Sequence, residues 1–188
     1  NFNCIFSGSA ITPDYVKKQG QNGKINQKLL AVVMKSKRGV QYVVATQDHE
    51  ELANIAEKVW RPTQSIADDR RSMFTPLYGM EKFDQLFTVR QIYSLNKFMS
   101  ILEDIWFEIE ADARAAGLNA GAGGISAGGD GSKAYADAIV TYLSLGFSKL
   151  LDYGNTIVSW NLTNQNATHL FTKQAIPMSW DFFELNPI

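Results

Sequence analysis

The sequence predicts an α+β chain: a small N-terminal lobe of β-hairpin and helix, packed on a mainly α-helical C-terminal part with two long antiparallel helices. Three observations carry this. Two Val-, Leu- and Tyr-rich runs, Lys28–Met34 and Val40–Thr46, flank Lys35-Ser-Lys-Arg-Gly39. Apolar residues recur at three- and four-residue spacing from Ile92 to Ile109, and again from Tyr135 to Ile157. A Gly/Ala/Ser tract, Gly117 to Ser132, separates those two segments.

Taken in order, Thr12-Pro13 starts a short helix to about Lys18, with Thr as N-cap and Pro in the first turn. Lys28 to Thr46 forms a hairpin whose Gly39 supplies the positive φ of the turn. Thr46 or Asp48 caps an amphipathic helix to about Trp60, with Leu52, Ile55, Ala56 and Val59 on one face. Residues 61–82 hold two prolines and little periodicity, so they read as a connecting loop. Thr88 caps a long helix to about Ala116, its apolar face running through Leu95, Phe98, Leu102, Ile105 and Trp106. A second long helix spans about Lys133 to Trp160, and its wide apolar arc predicts two packing neighbours. The tract between them, 117–132, reads as a mobile linker. The expected division is therefore a lobe at 1–82 and a helical lobe at 83–188.

At 188 residues with 45% apolar content, the chain can bury a sizeable core. Its net charge of -1 excludes a globally basic nucleic-acid binder but hides an asymmetry. Residues 1–45 carry seven Lys/Arg against one acid, Asp14, while residues 101–112 carry five acids and no base. Cys4 is the only cysteine, which rules out an internal disulfide and favours a cytoplasmic, reducing setting. No apolar run reaches the roughly 20 residues needed to cross a bilayer. Phe2–Phe6 reads like the middle of a strand, and the tail from Gln174 to Ile188 is rich in Trp, Phe and Pro with no polar end; both ends read as fragment boundaries.

Several chemical readings fail on the residues. Gly121-Ala-Gly-Gly-Ile-Ser126 has Ser where a dinucleotide fingerprint needs its third Gly, and a helix precedes it where a strand should. Gly124 to Gly129 has phosphate-loop spacing, but Asp130 stands where the Lys is required. His49 and His169 have no metal-ligand spacing to other His or Cys, and Asp104, Glu108 and Asp112 read as a solvated acidic stripe. Neither histidine has a nucleophile context. The two sequons, at Asn161 and Asn166, are chance matches. Asn186-Pro187-Ile188 lacks the second Pro and the aromatic of an amino-methylating loop, so no catalytic residue is expected here.

Other segments carry a resemblance. Ser7–Val16, Val33–Tyr42, Tyr78-Gly-Met80 with Leu86–Gln91, Ala134–Leu145, Leu151-Asp-Tyr-Gly-Asn155, and Phe171–Phe182 with Glu184–Pro187 occur in one order. In that order they resemble the central region of adenine-specific DNA methylase-like proteins with an embedded zinc ribbon. The resemblance implies an insert between the two halves of a split methyltransferase domain, with the S-adenosylmethionine-binding glycine motif upstream and the Pro-Pro-aromatic loop downstream. It implies no cofactor in this chain, S-adenosylmethionine in the parent protein, and a bacterial modification or anti-phage setting. The ribbon match here is Cys4-Ile-Phe-Ser7, and a serine hydroxyl is a poor zinc ligand, so no metal is expected.

Two roles follow for such an insert. As a DNA-contacting module it would use Lys17, Lys18, Lys24, Lys35, Lys37 and Arg38 on phosphates, with Arg90, Gln91, Lys173 and Gln174 as further candidates. As a structural or protein-interaction module it would use Trp180, Phe182 and Phe183 to contact the rest of the parent methyltransferase. No membrane partner is expected.

Overall fold

The computed structural model describes residues 2–52, 59–171 and 174–186. The chain is α+β, with three two-stranded antiparallel sheets among the described residues and helices, the two long ones in the C-terminal half. None of its described helices is long and apolar enough to cross a membrane.

A two-residue ladder, β1 (Phe2–Asn3) with β2 (Ala10–Ile11), closes the turn that carries Cys4. Helix α1 (Pro13–Gln21) begins as its sequence dictates: Thr12 accepts from the Tyr15 amide at 3.2 Å and Pro13 opens the first turn. It runs past the expected stop at Lys18 and includes Gly20. The reason is tertiary. A Cβ on Gly20 would fall well inside contact distance of the Tyr78 carbonyl, so glycine there lets α1 lie directly on the 3-10 turn Thr75–Tyr78. Gln21 adds a hydrogen bond from Nε2 to the Leu77 carbonyl at 3.1 Å.

The hairpin forms as expected, β3 (Ala31–Ser36) against β4 (Gly39–Val44), with Lys37 and Arg38 as the two turn residues and Gly39 at φ 113°. Its register pairs Val33 with Tyr42 and Lys35 with Val40. The Thr46 hydroxyl then accepts from the His49 amide at the start of α2 (Gln47–Leu52). The expected continuation through Ile55 and Ala56 lies outside the described residues.

Part of the core comes from a segment whose lack of periodicity predicts a loop. Ile66, Leu86, Ile157, Val158, Leu170 and Ile176 are buried together, with Met73, Met80, Phe87 and Ala167 packed on them. Residues 61–82 are thus a folded strap, and the core combines its Ile66, Met73 and Met80 with residues beyond position 82. Backbone bonds hold it: Ile66 N to Glu81 O, Phe83 N to Gln64 O, and the pair Phe74 N to Ile176 O and Ile176 N to Ser72 O. Periodicity misses this segment because its ladder is two isolated bridges, Ser65–Lys82 and Met73–Ile176, rather than a strand.

Helix α3 (Val89–Ala115) starts at a reciprocal capping box between Thr88 and Gln91 and packs antiparallel to α4 (Ser132–Tyr153). Helix α4 ends at Tyr153, about two turns before the Trp160 that periodicity predicts. Asn155, fully buried, donates from Nδ2 to the Leu151 carbonyl at 2.9 Å and accepts from the Ile157 amide at 3.0 Å. That side chain satisfies the helix end and turns Ile157 and Val158 into the core. Thr156 then bonds the Leu86 carbonyl through both its amide and its hydroxyl. Besides α3, the 3-10 turn Ile125–Ala127 packs on α4, while Tyr142 is 75% and Leu145 63% exposed.

The 117–132 tract is a closed turn rather than an open linker. Gly129 N bonds Gly124 O, Ser132 N bonds Asn119 O, and a 3-10 turn spans Ile125–Ala127. Asp137 on α4 clamps it, accepting from the Ile125 amide at 2.9 Å with one oxygen and from Trp106 Nε1 at 2.8 Å with the other. The glycines serve close backbone approach: a Cβ on Gly131 would stand 2.5 Å from Gly121 N. Short antiparallel strands β5 (Trp160–Asn161) and β6 (Asn166–Ala167) complete the fold before the tail.

Candidate nucleic-acid interface

The N-terminal cations fall into two sets. Lys18, Lys24, Lys35, Lys37 and Arg38 are exposed, and none has an ion-pair partner among the described residues. Lys37 and Arg38 sit side by side in the hairpin turn, where the Arg38 amide bonds Ser36 Oγ and both side chains are left to solvent. Lys17 is partly engaged, 3.4 Å from Asp14, one helical turn before it. Lys28 pairs with Glu50 at 3.4 Å.

Two of the other polar candidates are engaged within the chain. Arg90 is committed to the tail, bound through two parallel hydrogen bonds to Glu184. Gln91 is 6% exposed, and its side-chain oxygen accepts from the Thr88 amide at 2.8 Å as half of the capping box. A residue in that position cannot reach a phosphate. Gln174 is exposed on the tail, and Lys173 lies outside the described residues.

The tail aromatics meet this chain itself. Phe183 is half-buried with its ring centroid 4.7 Å from Trp160, and its amide bonds the Val158 carbonyl at 2.7 Å. Trp180 makes an edge contact with Tyr78 at 5.1 Å and stays 58% exposed; Phe182 is half-buried.

Two anchors join the basic hairpin to the C-terminal half. Trp160 Nε1 donates to the Tyr42 hydroxyl at 2.9 Å. The position a Cβ would take on Gly39 lies 3.9 Å from Gln165 Oε1, so the hairpin turn abuts the β5–β6 turn. Beside that junction is an open cleft of about 430 Å³ lined by Tyr153, Asn161, Asn164, Asn166, Thr168 and His169. Asn161 Oδ1 accepts from the amides of Thr163 and Asn164, at 3.0 and 2.9 Å, which folds the turn. The carboxamides of Asn164 and Asn166 have no partner among the described residues.

Behind the cleft, Asp152 is 5% exposed. It accepts from the Phe171 amide at 2.8 Å, and lies 3.0 Å from Lys149 Nζ and 3.3 Å from His169 Nδ1. Burial opposes its charge, but the Phe171 N–H, Lys149 and His169 outweigh that and hold the carboxyl below its ordinary range. The hydrogen bond to Asp152 raises Lys149 above the usual lysine value. With Nδ1 turned to Asp152, Nε2 is the His169 nitrogen left for the cleft. Sequence reasoning missed this site. Its one visible signal, the run Asn161-Leu-Thr-Asn-Gln-Asn166, was read only as a pair of sequons.

Among the described residues no three His, Cys, Asp or Glu side chains gather for a metal. Cys4 does sit in a tight turn, Gly8 N bonding Cys4 O and Cys4 N bonding Ser9 O. The Ser7 hydroxyl, then the Ser7 and Phe6 amides, hold its thiol below the ordinary range. The glycine tract offers no phosphate cradle, because Asp137 already fills the Ile125 amide with a carboxylate. No known protein family, curated protein or solved structure matches this chain.

Proposed function

We propose that this chain is the central insert of an adenine-specific DNA methylase-like protein and contributes DNA contact rather than catalysis. The observation that carries the reading is a set of five exposed cations without an ion-pair partner among the described residues, Lys18 on α1, Lys24 just after it, and Lys35, Lys37 and Arg38 in the hairpin. Such side chains neutralise phosphates and release counterions, which positions a duplex without reading its sequence. The parent would bind S-adenosylmethionine through its flanking halves, in a bacterial cytoplasm, within a modification or anti-phage system. The test is duplex binding by fluorescence anisotropy across a salt series. Affinity should fall steeply with salt, and Lys35→Glu with Lys37→Glu and Arg38→Glu should weaken it at least about tenfold. Equal affinity at low and moderate salt overturns the reading. A glycine motif encoded upstream and an Asp/Asn-Pro-Pro-aromatic loop downstream would support the parent; their absence overturns it.

A second reading, a structural or protein-interaction module without DNA binding, draws support from exposed apolar residues on α3 and α4. Phe107 is 68%, Tyr142 75% and Leu145 63% exposed, more than a helix pair in water needs to leave uncovered. Association of this chain with the remainder of the parent, lost on Tyr142→Glu and Leu145→Glu while DNA binding is nil, would favour it.

A further inference from the structure

We propose that the cleft between β5–β6 and the end of α4 receives an unpaired nucleobase, with its phosphates against the Lys37–Arg38 turn. The proposal rests on the DNA-contact reading of the hairpin and names the form of nucleic acid held there: a single-stranded or extruded nucleotide.

Three features converge on this ligand. Asn164 and Asn166 present carboxamides with no partner among the described residues, and Asn161, its oxygen used within the turn, presents Nδ2–H donors. Adjacent N–H and C=O groups match the donor–acceptor edge of a base, which a duplex hides and an unpaired nucleotide exposes. Tyr153 and His169 supply π-faces on one wall, their centroids 5.7 Å apart and their planes inclined at 42°. Lys149 Nζ already lies over the Tyr153 ring at 5.3 Å from its centroid, so a base would stack on the exposed His169 ring, without sequence preference. Asp152 fixes the imidazole through Nδ1, so that wall is held in place before a ligand arrives.

Charge places the backbone of the strand. Gly39, which follows Lys37 and Arg38 in the chain, lies beside Gln165, in the turn between the carboxamides of Asn164 and Asn166, since a Cβ placed on it would stand 3.9 Å from Gln165 Oε1. Those cations have no ion-pair partner among the described residues, and a base linked to phosphates uses both halves of the site. A neutral ligand of the same size, such as a sugar, would leave the cations idle.

The test compares a short labelled single strand, the same strand with abasic sites, and its duplex, by anisotropy on the whole chain. The single strand should bind at least about fivefold more tightly than the abasic strand. Asn164→Ala with Asn166→Ala, both at exposed positions, should abolish that preference and leave duplex binding unchanged. Abasic and normal strands binding alike, with duplex binding intact and salt-sensitive, would overturn the base pocket and leave the hairpin reading standing. Absence of binding to every strand at low salt would overturn both.

Discussion

Arg90, in the first turn of α3, grips Glu184 in the tail with Nε to Oε1 at 2.8 Å and Nη2 to Oε2 at 2.7 Å. The two residues are 94 positions apart, and this fork fixes the tail beside the core. Their side chains are 34% and 27% exposed, so solvent screens the pair in part. Bidentate geometry recovers some of that loss. Arg90→Ala and Glu184→Ala should each lower stability by about 1–3 kcal/mol, with a coupling energy of about 1 kcal/mol in the double-mutant cycle. Urea denaturation of the four proteins measures it, and additive single effects would show that the fork contributes nothing.

Gly20→Ala gives a test in which helix propensity and packing disagree. In an isolated helix the change should stabilise by about 1 kcal/mol. Here the new methyl would collide with the Tyr78 carbonyl and Ile25 Cδ1. Backbone cannot yield as a side-chain end can, so the variant should be less stable than the parent by about 1–3 kcal/mol. A rise in thermal midpoint would mean that α1 does not rest on the Thr75–Tyr78 turn.

These two contacts mark the limit of what the sequence makes legible. The hairpin and the start of α3 are local: Gly39, Thr12 and the Thr88–Gln91 box declare themselves by residue type and spacing. Arg90 and Gln91 look like surface polar groups until Glu184 and the Thr88 amide claim them. Residues 61–82 carry no period because each of Ile66, Met73 and Met80 enters the core from a separate bend. The Asn-rich cleft depends on β5–β6 folding beside α4 and β4, which no spacing announces. The basic turn was legible because its cations stay solvated and need no partner to be recognised.

Asp152 makes stability depend on acid. Its folded carboxyl is held below the ordinary range, while the unfolded chain titrates near about 3.9. Between those values the unfolded state binds more protons, so the contribution is whole above the unfolded value and is lost as pH falls through the folded one. Lys149 Nζ and His169 Nδ1 are the groups that face it. Asp152→Asn should therefore be clearly less stable than the parent near neutral pH, and the gap should close below about pH 4. Denaturant midpoints across that range check it; a constant gap would assign the role of Asp152 to hydrogen bonding alone.

The glycine tract separates a linker from a folded turn by a single methyl. A linker tolerates alanine at any of its glycines, since nothing is near them. In the closed turn Gly128 has open space around it and φ 70°, so alanine there meets only backbone strain, about 1 kcal/mol. At Gly129 the methyl would overlap the Gly123 carbonyl, and no side chain can move aside. Gly129→Ala should free the tract from Asp137, exposing the Ile125 amide that it holds at 2.9 Å. Hydrogen exchange reads this directly. In the parent the amides of Ile125, Gly129 and Ser132 should be protected, and Gly129→Ala or Asp137→Ala should speed exchange at Ile125 at least about tenfold. Fast exchange throughout the tract in the parent would restore the linker.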